Sequence, residues 1–189
     1  CRPVHIQLSR KSPESKLGRI RNVQISNLVC RSEGRILMAA EDGAMLENIV
    51  LRDVRLSYPT VDDPSLIQDL EGPLTQFFRM NPWLRHERAC LAAENVRGLV
   101  VDNLMVDWPA TDAQGQVDTP EAWRFPLKGL AGSWQIFDRE QYNTDTIPPF
   151  AVMSLRGVTG GYLDCPLAEP AGGESEKYRL DQCQISIRS

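Results

Sequence analysis

Short runs of alternating hydrophobic and polar residues recur along the chain, and each run is interrupted by an asparagine, an aspartate or a glycine. These runs occupy residues 20–28, 46–56, 93–106 and 155–165. Alternation with a period of two, rich in Ile, Val and Leu, predicts half-buried β-strands. The interrupting residues tolerate a left-handed backbone, so each predicts a bend between two short strands.

The spacing of the runs indicates stacked coils. Asn22 and Asn48 are 26 residues apart, and Asn95 follows 47 residues later, close to two such periods. We expect successive coils to stack in parallel about 4.8 Å apart, with the asparagines forming hydrogen-bonded ladders. The predicted fold is therefore all-β, a right-handed parallel β-helix of about five to seven coils. A leucine-rich repeat is disfavoured because no helical segment recurs with the pattern.

Two proline-rich stretches, at about 57–90 and 107–150, break the alternation. Proline cannot donate a hydrogen bond to a strand ladder, so both stretches are predicted to be long loop insertions on the outside of the coils. We interpret residues 1–189 as one β-helix domain. Because the chain begins with Cys1 rather than Met, we expect it to be processed, or cut from a longer protein.

Composition excludes several classes of protein. The chain carries 21 Lys and Arg against 25 Asp and Glu, a net charge of −4 with no basic block. This balance does not predict a nucleic-acid partner. No apolar run approaches the roughly 20 residues that span a bilayer, so no membrane partner is predicted. The five cysteines are odd in number and lack a CxxC pair, which predicts mainly buried free thiols rather than a zinc site.

Two of the strand phrases resemble the late coils of pectin-lyase-like β-helix proteins, and more narrowly those of the polygalacturonase family, glycoside hydrolase family 28. Residues 18–28 read Gly-x-Ile-x-Asn-Val-x-Ile-x-Asn-Leu, and residues 46–54 read Leu-Glu-Asn-Ile-x-Leu-x-Asp-Val. Residues 93–99 and 102–108 are similar to the terminal coils of bacterial relatives. The resemblance implies a carbohydrate-active protein that acts on pectin-type polysaccharide by acid/base hydrolysis. It further implies a uronate-containing glycan as partner, no cofactor, and a periplasmic or extracellular location.

The catalytic motifs of that family do not occur here in the arrangement that the resemblance demands. Residues 143–145 spell Asn-Thr-Asp, but they lie in a proline-rich stretch with no Asp-Asp or Gly-His-Gly after them. The adjacent Asp62 and Asp63 precede a proline, where loop solvation and helix capping account for them. His5 falls on the polar side of an alternating run, which predicts a surface or groove histidine. In the family the catalytic coils precede the phrases found here, so the resemblance implies that residues 1–189 are the C-terminal part of a longer β-helix. The catalytic residues are therefore expected upstream of residue 1, and the 189 residues alone are expected to be inactive.

Residues 77–88 form the most site-like segment, and its candidate substrate-binding residues are Trp83, Arg85, His86 and Arg79. Arginine binds the carboxylates of uronate sugars in a bidentate manner, and a tryptophan offers its face to a sugar ring. The alternative is a loop whose aromatic side chains pack on the coils while its charges face water. His86 and Glu87 do not begin a His-Glu-x-x-His motif, since position 90 is Cys, so no metal site is predicted.

Two other functional classes remain open. One is a non-catalytic β-helix that binds glycans or takes part in a surface assembly. The other is a β-helix lyase, which would use Ca²⁺, although no acidic cluster of the sequence supports it. Further coils upstream, in the same protein, carrying paired aspartates would distinguish an enzyme from a binding protein.

Overall fold

The computed structural model describes residues 3–10, 12–31, 35–58, 89–108, 151–170 and 176–188. Within these ranges the chain forms ten β-strands and no helix, so the predicted all-β class is confirmed there. The strands are β1 His5–Leu8, β2 Arg21–Arg31, β3 Ile36–Ala40, β4 Leu46–Ser57, β5 Ala89–Glu94, β6 Val96–Asp107, β7 Ala151–Arg156, β8 Thr159–Asp164, β9 Tyr178–Asp181 and β10 Gln184–Arg188.

The strands form two parallel sheets of five strands each. The odd-numbered strands make one sheet in the order β1-β3-β5-β7-β9, and the even-numbered strands make the other in the order β10-β8-β6-β4-β2. The chain therefore visits the two sheets in strict alternation, and each strand pairs with the strand two places further along the sequence. We call them the odd-strand sheet and the even-strand sheet.

One hydrophobic core contains residues from both sheets. Along the even strands, buried and exposed side chains alternate, as expected for a sheet with one face on the core. Residues of like type share one register position across this sheet, as in the row Ile25, Leu51, Val101, Leu163 and Ile187. The odd-strand sheet differs, because β3 and β5 are buried at every position. Since successive side chains point to opposite faces, both faces of its middle strands are covered.

Left-handed residues stack in rows across the even-strand sheet. Asn22, Asn48, Gly98 and Gly160 share one register position, with φ of 57°, 54°, 73° and 72°. A second row, Asn27, Asp53 and Asn103, has φ of 56°, 53° and 56°. The predicted left-handed backbone is confirmed at these positions, but they lie inside β2, β4, β6 and β8 rather than between two short strands. The asparagine ladder is confirmed in part, since Asn48 Nδ2 donates to Asn22 Oδ1 at 3.0 Å.

The sequence prediction that Asn95 is equivalent to Asn48 is wrong. Asn95 lies between β5 and β6, and Gly157, which lies between β7 and β8, has a left-handed backbone as well. The residue in register with Asn48 is Gly98, because Glu47 pairs with Arg97 and Ile49 pairs with Leu99. Since β4 pairs directly with β6, the 47-residue spacing is not two periods.

The predicted insertions fall between strands. β4 ends at Ser57 and β5 begins at Ala89, while β6 ends at Asp107 and β7 begins at Ala151. Residues 59–88 and 109–150 lie outside the described residues, so their loop character stays a prediction.

Candidate functional site

The four predicted substrate-binding residues Arg79, Trp83, Arg85 and His86 lie outside the described residues, as do Asp62, Asp63 and Asp145. Their roles therefore stay predictions. Among the sequence candidates, the structure describes His5, which is half-buried on β1. The polar clusters that it does bring together come from other positions.

A row of charged and aromatic side chains crosses the outer face of the even-strand sheet. Arg52, Asp102, Asp164 and Arg188 share one register position on β4, β6, β8 and β10. The Arg52 Nε donates to Asp102 Oδ2 at 3.1 Å, and the Tyr162 hydroxyl lies 3.5 Å from the same oxygen. The Arg188 guanidinium carbon stands 3.4 Å from the centre of the Tyr162 ring. We call these five residues the outer polar row.

A second ion pair joins β4 and β6 near their C-terminal ends. Arg55 donates two hydrogen bonds to Asp107, from Nε at 2.8 Å and from Nη2 at 3.1 Å, in the bidentate geometry that guanidinium groups favour. The Ser57 hydroxyl donates to the same carboxylate at 2.7 Å. These bonds, first from Arg55 and then from Ser57, lower the pKa of Asp107. Asp107 is consequently held ionised and is not suited to donate a proton.

The odd-strand sheet carries one ion-pair trio. Arg156 on β7 lies between Glu94 on β5 and Asp181 on β9, with nitrogen-to-oxygen distances of 3.8 Å and 3.4 Å. Glu94 is only 3% exposed. A buried carboxylate needs such a partner, because an uncompensated buried charge is strongly destabilising. We interpret the trio as a structural contact between three neighbouring strands of this sheet.

A cluster of aromatic and thiol side chains lies where β4 and β6 end and β5 begins. The rings of Tyr58 and Trp108 stack with centroids 5.1 Å apart, and the Trp108 indole donates to the Glu169 carbonyl at 2.6 Å. Burial raises the pKa of the Cys90 thiol to about 12, and burial followed by the neighbouring Cys90 raises the pKa of Tyr58. Such a thiol stays protonated and unreactive near neutral pH.

The cysteines that the structure describes test the prediction that most of the thiols are free and buried. Cys30, Cys90, Cys165 and Cys183 are all free. Cys90 and Cys165 are buried as expected, whereas Cys30, on β2, and Cys183, directly before β10, are half-buried. Across the described ranges no group of three metal-ligating side chains comes together, and no helix there is long and apolar enough to cross a membrane.

The outer polar row is the arrangement that sequence reasoning missed. Three of its four charged residues lie four positions after a left-handed residue: Arg52 after Asn48, Asp102 after Gly98, and Asp164 after Gly160. That signal was present in the sequence, but finding it requires the correct register across residues 57–89. Chemically the row offers guanidinium donors beside carboxylate acceptors, which suits recognition of a ligand rich in hydroxyl and carboxylate groups.

Comparison with protein-family models, with curated proteins and with solved structures finds no match to this chain in any of the three.

Proposed function

We propose that the two sheets are the walls of a right-handed parallel β-helix. The support is the strict alternation of the chain between two wholly parallel sheets, with five strands in each. Crossovers between parallel strands of one sheet are right-handed in about 98% of cases. The stacked left-handed residues add support, because they recur at the same register positions on successive even-numbered strands.

We propose that the protein is carbohydrate-active, and that it belongs to a polygalacturonase-like system acting on pectin-type polysaccharide. The observation that carries this proposal is the outer polar row. Neighbouring strands lie about 4.8 Å apart, so the row repeats donors and acceptors at short, regular intervals along the stack. A sugar hydroxyl both donates and accepts, and a uronate carboxylate pairs with arginine. The row would therefore follow an extended polysaccharide lying across the strands.

The acid and base of hydrolysis are proposed to lie outside the described residues. Inverting hydrolysis needs two carboxyl groups about 6.5–9.5 Å apart, one of them with a raised pKa. Asp107 has a lowered pKa, and Glu94 is buried against Arg156. Neither fits the general acid. The proposal therefore assigns the described coils to scaffold and polysaccharide binding, with catalysis on further coils of the same system in the periplasm or outside the cell.

Calorimetric titration with oligogalacturonides tests the binding role. Arg52→Ala should weaken binding by about 1–3 kcal/mol, the usual value of a hydrogen bond to a charged group. Arg97→Ala is the matched control. Arg97 on β6 is exposed, as Arg52 on β4 is, but it lies outside the row. Equal losses in both variants, or no binding by the unaltered chain, would contradict the role of the row. Thermal unfolding of Arg97→Ala should stay unchanged, and Arg52→Ala should lose no more stability than the roughly 0.2–1 kcal/mol of one cross-strand pair.

A second candidate is a non-catalytic glycan-binding β-helix. It is favoured by the arginine contacts of Asp102, Asp107, Glu94 and Asp181, which leave these carboxylates committed to structural pairs. Incubating the 189-residue chain with polygalacturonate distinguishes the two. We expect binding without release of reducing ends. Turnover by the isolated chain would instead support hydrolysis within it, and would make Asp62, Asp63 and Asp145 the first residues to replace.

A further inference from the structure

A short apolar strip runs beside the outer polar row, on the same face of the even-strand sheet. Its members are Val50 on β4, Val100 on β6 and Tyr162 on β8, which share one register position. Val50 and Val100 each lie between two fully buried residues, so their own side chains point away from the core. All three are half-buried. Since β4, β6 and β8 each have a paired strand on both sides, the strip does not depend on the edges of the sheet.

Polar side chains border the strip on one side only. On β6, Asp102 follows Val100 by two residues, so both point to the same face about 6.6 Å apart. Arg52 has the same relation to the strip on β4. On the other side, two residues before Val100, Gly98 carries no side chain, and Gly160 has the same position on β8. The strip and the row therefore form an apolar line beside a polar line.

The outermost charges of the even-numbered strands are positive. These strands carry six arginines, all of them exposed, and five acidic residues, all of them half-buried. The whole chain, in contrast, has a net charge of −4. Exposed guanidinium groups above less exposed carboxylates favour the approach of an anion to this sheet.

An acidic sugar ring matches both lines of side chains. A pyranose has an apolar face of C–H groups, while hydroxyl and carboxylate groups project from its rim. With the C–H face on the strip, the rim reaches the guanidinium and carboxylate groups of the row. The strip is one side chain wide and three strands long, far less than the roughly 800 Å² per partner of a stable protein interface. A single extended glycan chain is narrow enough for it.

We propose that Val50, Val100 and Tyr162 bind the ring faces of an acidic polysaccharide whose carboxylates and hydroxyls contact the outer polar row. This inference rests on the proposed function, since it uses the same row, and it adds the class of ligand that the surface selects. A neutral glycan lacks the carboxylate that arginine binds best. A polyanion without rings leaves the strip exposed to water. Only a chain of acidic sugars satisfies both lines of side chains.

Calorimetric titration of valine variants with oligogalacturonides tests the strip. Val100→Thr keeps the branched side chain but replaces a methyl group by a hydroxyl, so it should weaken binding about fourfold, the value of one buried methyl group. Val50→Thr should do the same, and it replaces Val100→Thr if that variant does not fold. Val29→Thr is the matched control, because Val29 on β2 is 79% exposed but shares its register position with Arg55. Its affinity should equal that of the unaltered chain.

Two comparison probes test the class of ligand. A neutral galactan oligosaccharide has ring faces without carboxylates, and polyglutamate has carboxylates without rings, so each should bind more weakly than the oligogalacturonide. Equal affinity for either probe, or unchanged oligogalacturonide affinity in the folded Val50→Thr and Val100→Thr variants, would overturn the inference. The proposed role of the row would still stand if Arg52→Ala weakened binding. An unaltered chain that binds none of the three probes would overturn both.

Discussion

At the scale of single residues, left-handed backbone recurs at matching register positions of the even-numbered strands. Non-glycine residues pay about 1–2 kcal/mol to adopt it, and asparagine and aspartate are the residues that visit it most readily. Here six of them do so, namely Asn22, Asn27, Asn48, Asp53, Asn95 and Asn103. Hydrogen bonds between their side chains, such as that from Asn103 Nδ2 to Asp53 Oδ1 at 2.7 Å, offset part of this cost. The polar rows are therefore structural elements of the even-strand sheet.

Two adjacent glycines on β8 allow the cost of backbone strain to be compared with the cost of steric crowding. Both have positive φ, +72° at Gly160 and +93° at Gly161. A Cβ on Gly160 would meet nothing nearer than the Gly98 nitrogen at 3.8 Å, whereas one on Gly161 would overlap the Leu99 carbonyl. We expect Gly160→Ala to lower the free energy of unfolding by about 1–2 kcal/mol, and Gly161→Ala to lower it by clearly more. Urea unfolding measures both, and equal losses would contradict the close approach of β8 to β6.

The direction of the hydrogen bonds between side-chain amides predicts that Asn→Asp substitutions at two positions will change the free energy of unfolding by different amounts. Asn103 is the donor to Asp53, while Asn22 is the acceptor from Asn48. Asn103→Asp should cost about 1–3 kcal/mol, because it removes a donor and sets two carboxylates together. Asn22→Asp keeps the acceptor and should be nearly neutral. Urea unfolding of the two variants compares them, and a larger loss for Asn22→Asp would reverse the assigned direction.

At the scale of elements, β4 and β6 form the most heavily cross-linked pair of strands. Arg52 bonds to Asp102, Arg55 bonds to Asp107, and Asn103 bonds to Asp53, all between these two strands. Cross-strand pairs of this kind contribute about 0.2–1 kcal/mol each. Because these strands also lie at the middle of their sheet, the polar contacts add to full burial on the opposite face.

The Arg55 pair predicts a measurable dependence on pH. Its bond lowers the pKa of Asp107, so the stabilisation is complete above the unfolded pKa of about 3.9 and is lost as pH falls through the folded pKa. Asp107→Asn should lower the free energy of unfolding near neutral pH by less than about 1 kcal/mol, since the pair is exposed. The difference from the unaltered chain should vanish in acid. Asp42→Asn, in an exposed turn, is the control for the loss of one negative charge.

At the scale of the whole molecule, the alternation of hydrophobic and polar residues predicted the even-numbered strands well and the odd-numbered strands poorly. Residues 20–28 and 46–56 lie in β2 and β4, each with one face on the core. β3 reads Ile-Leu-Met-Ala-Ala and is buried on both faces, so its sequence has no alternation to mark it as a strand. The register across residues 57–89 also escaped prediction, because a long segment there replaces the 26-residue period. The outer polar row depends on that register, and it was missed for the same reason.

The buried thiol and phenol of the aromatic and thiol cluster predict a loss of stability in alkali. Burial raises the pKa of Cys90 to about 12. Its proton is kept in the folded state, whereas the unfolded chain releases it above about 8.5. Stability is therefore complete below that pH and is lost as pH rises toward 12. Cys90→Ala should make urea unfolding less sensitive to pH between about 8.5 and 10; an unchanged slope would contradict the effect.

The alternation of the chain between two sheets has a consequence for the order in which it folds. Pairing β2 with β4 closes a loop of 26 residues, and pairing β7 with β9 closes one of 25. Pairing β4 with β6 and β5 with β7 closes loops of 50 and 62 residues. Each doubling of loop length adds about 0.6 kcal/mol of closure entropy. We therefore expect the outer strands of the two sheets to nucleate independently. The slow step of folding should be the pairing of β5 and β6 with their neighbours, across loops of 50 to 62 residues.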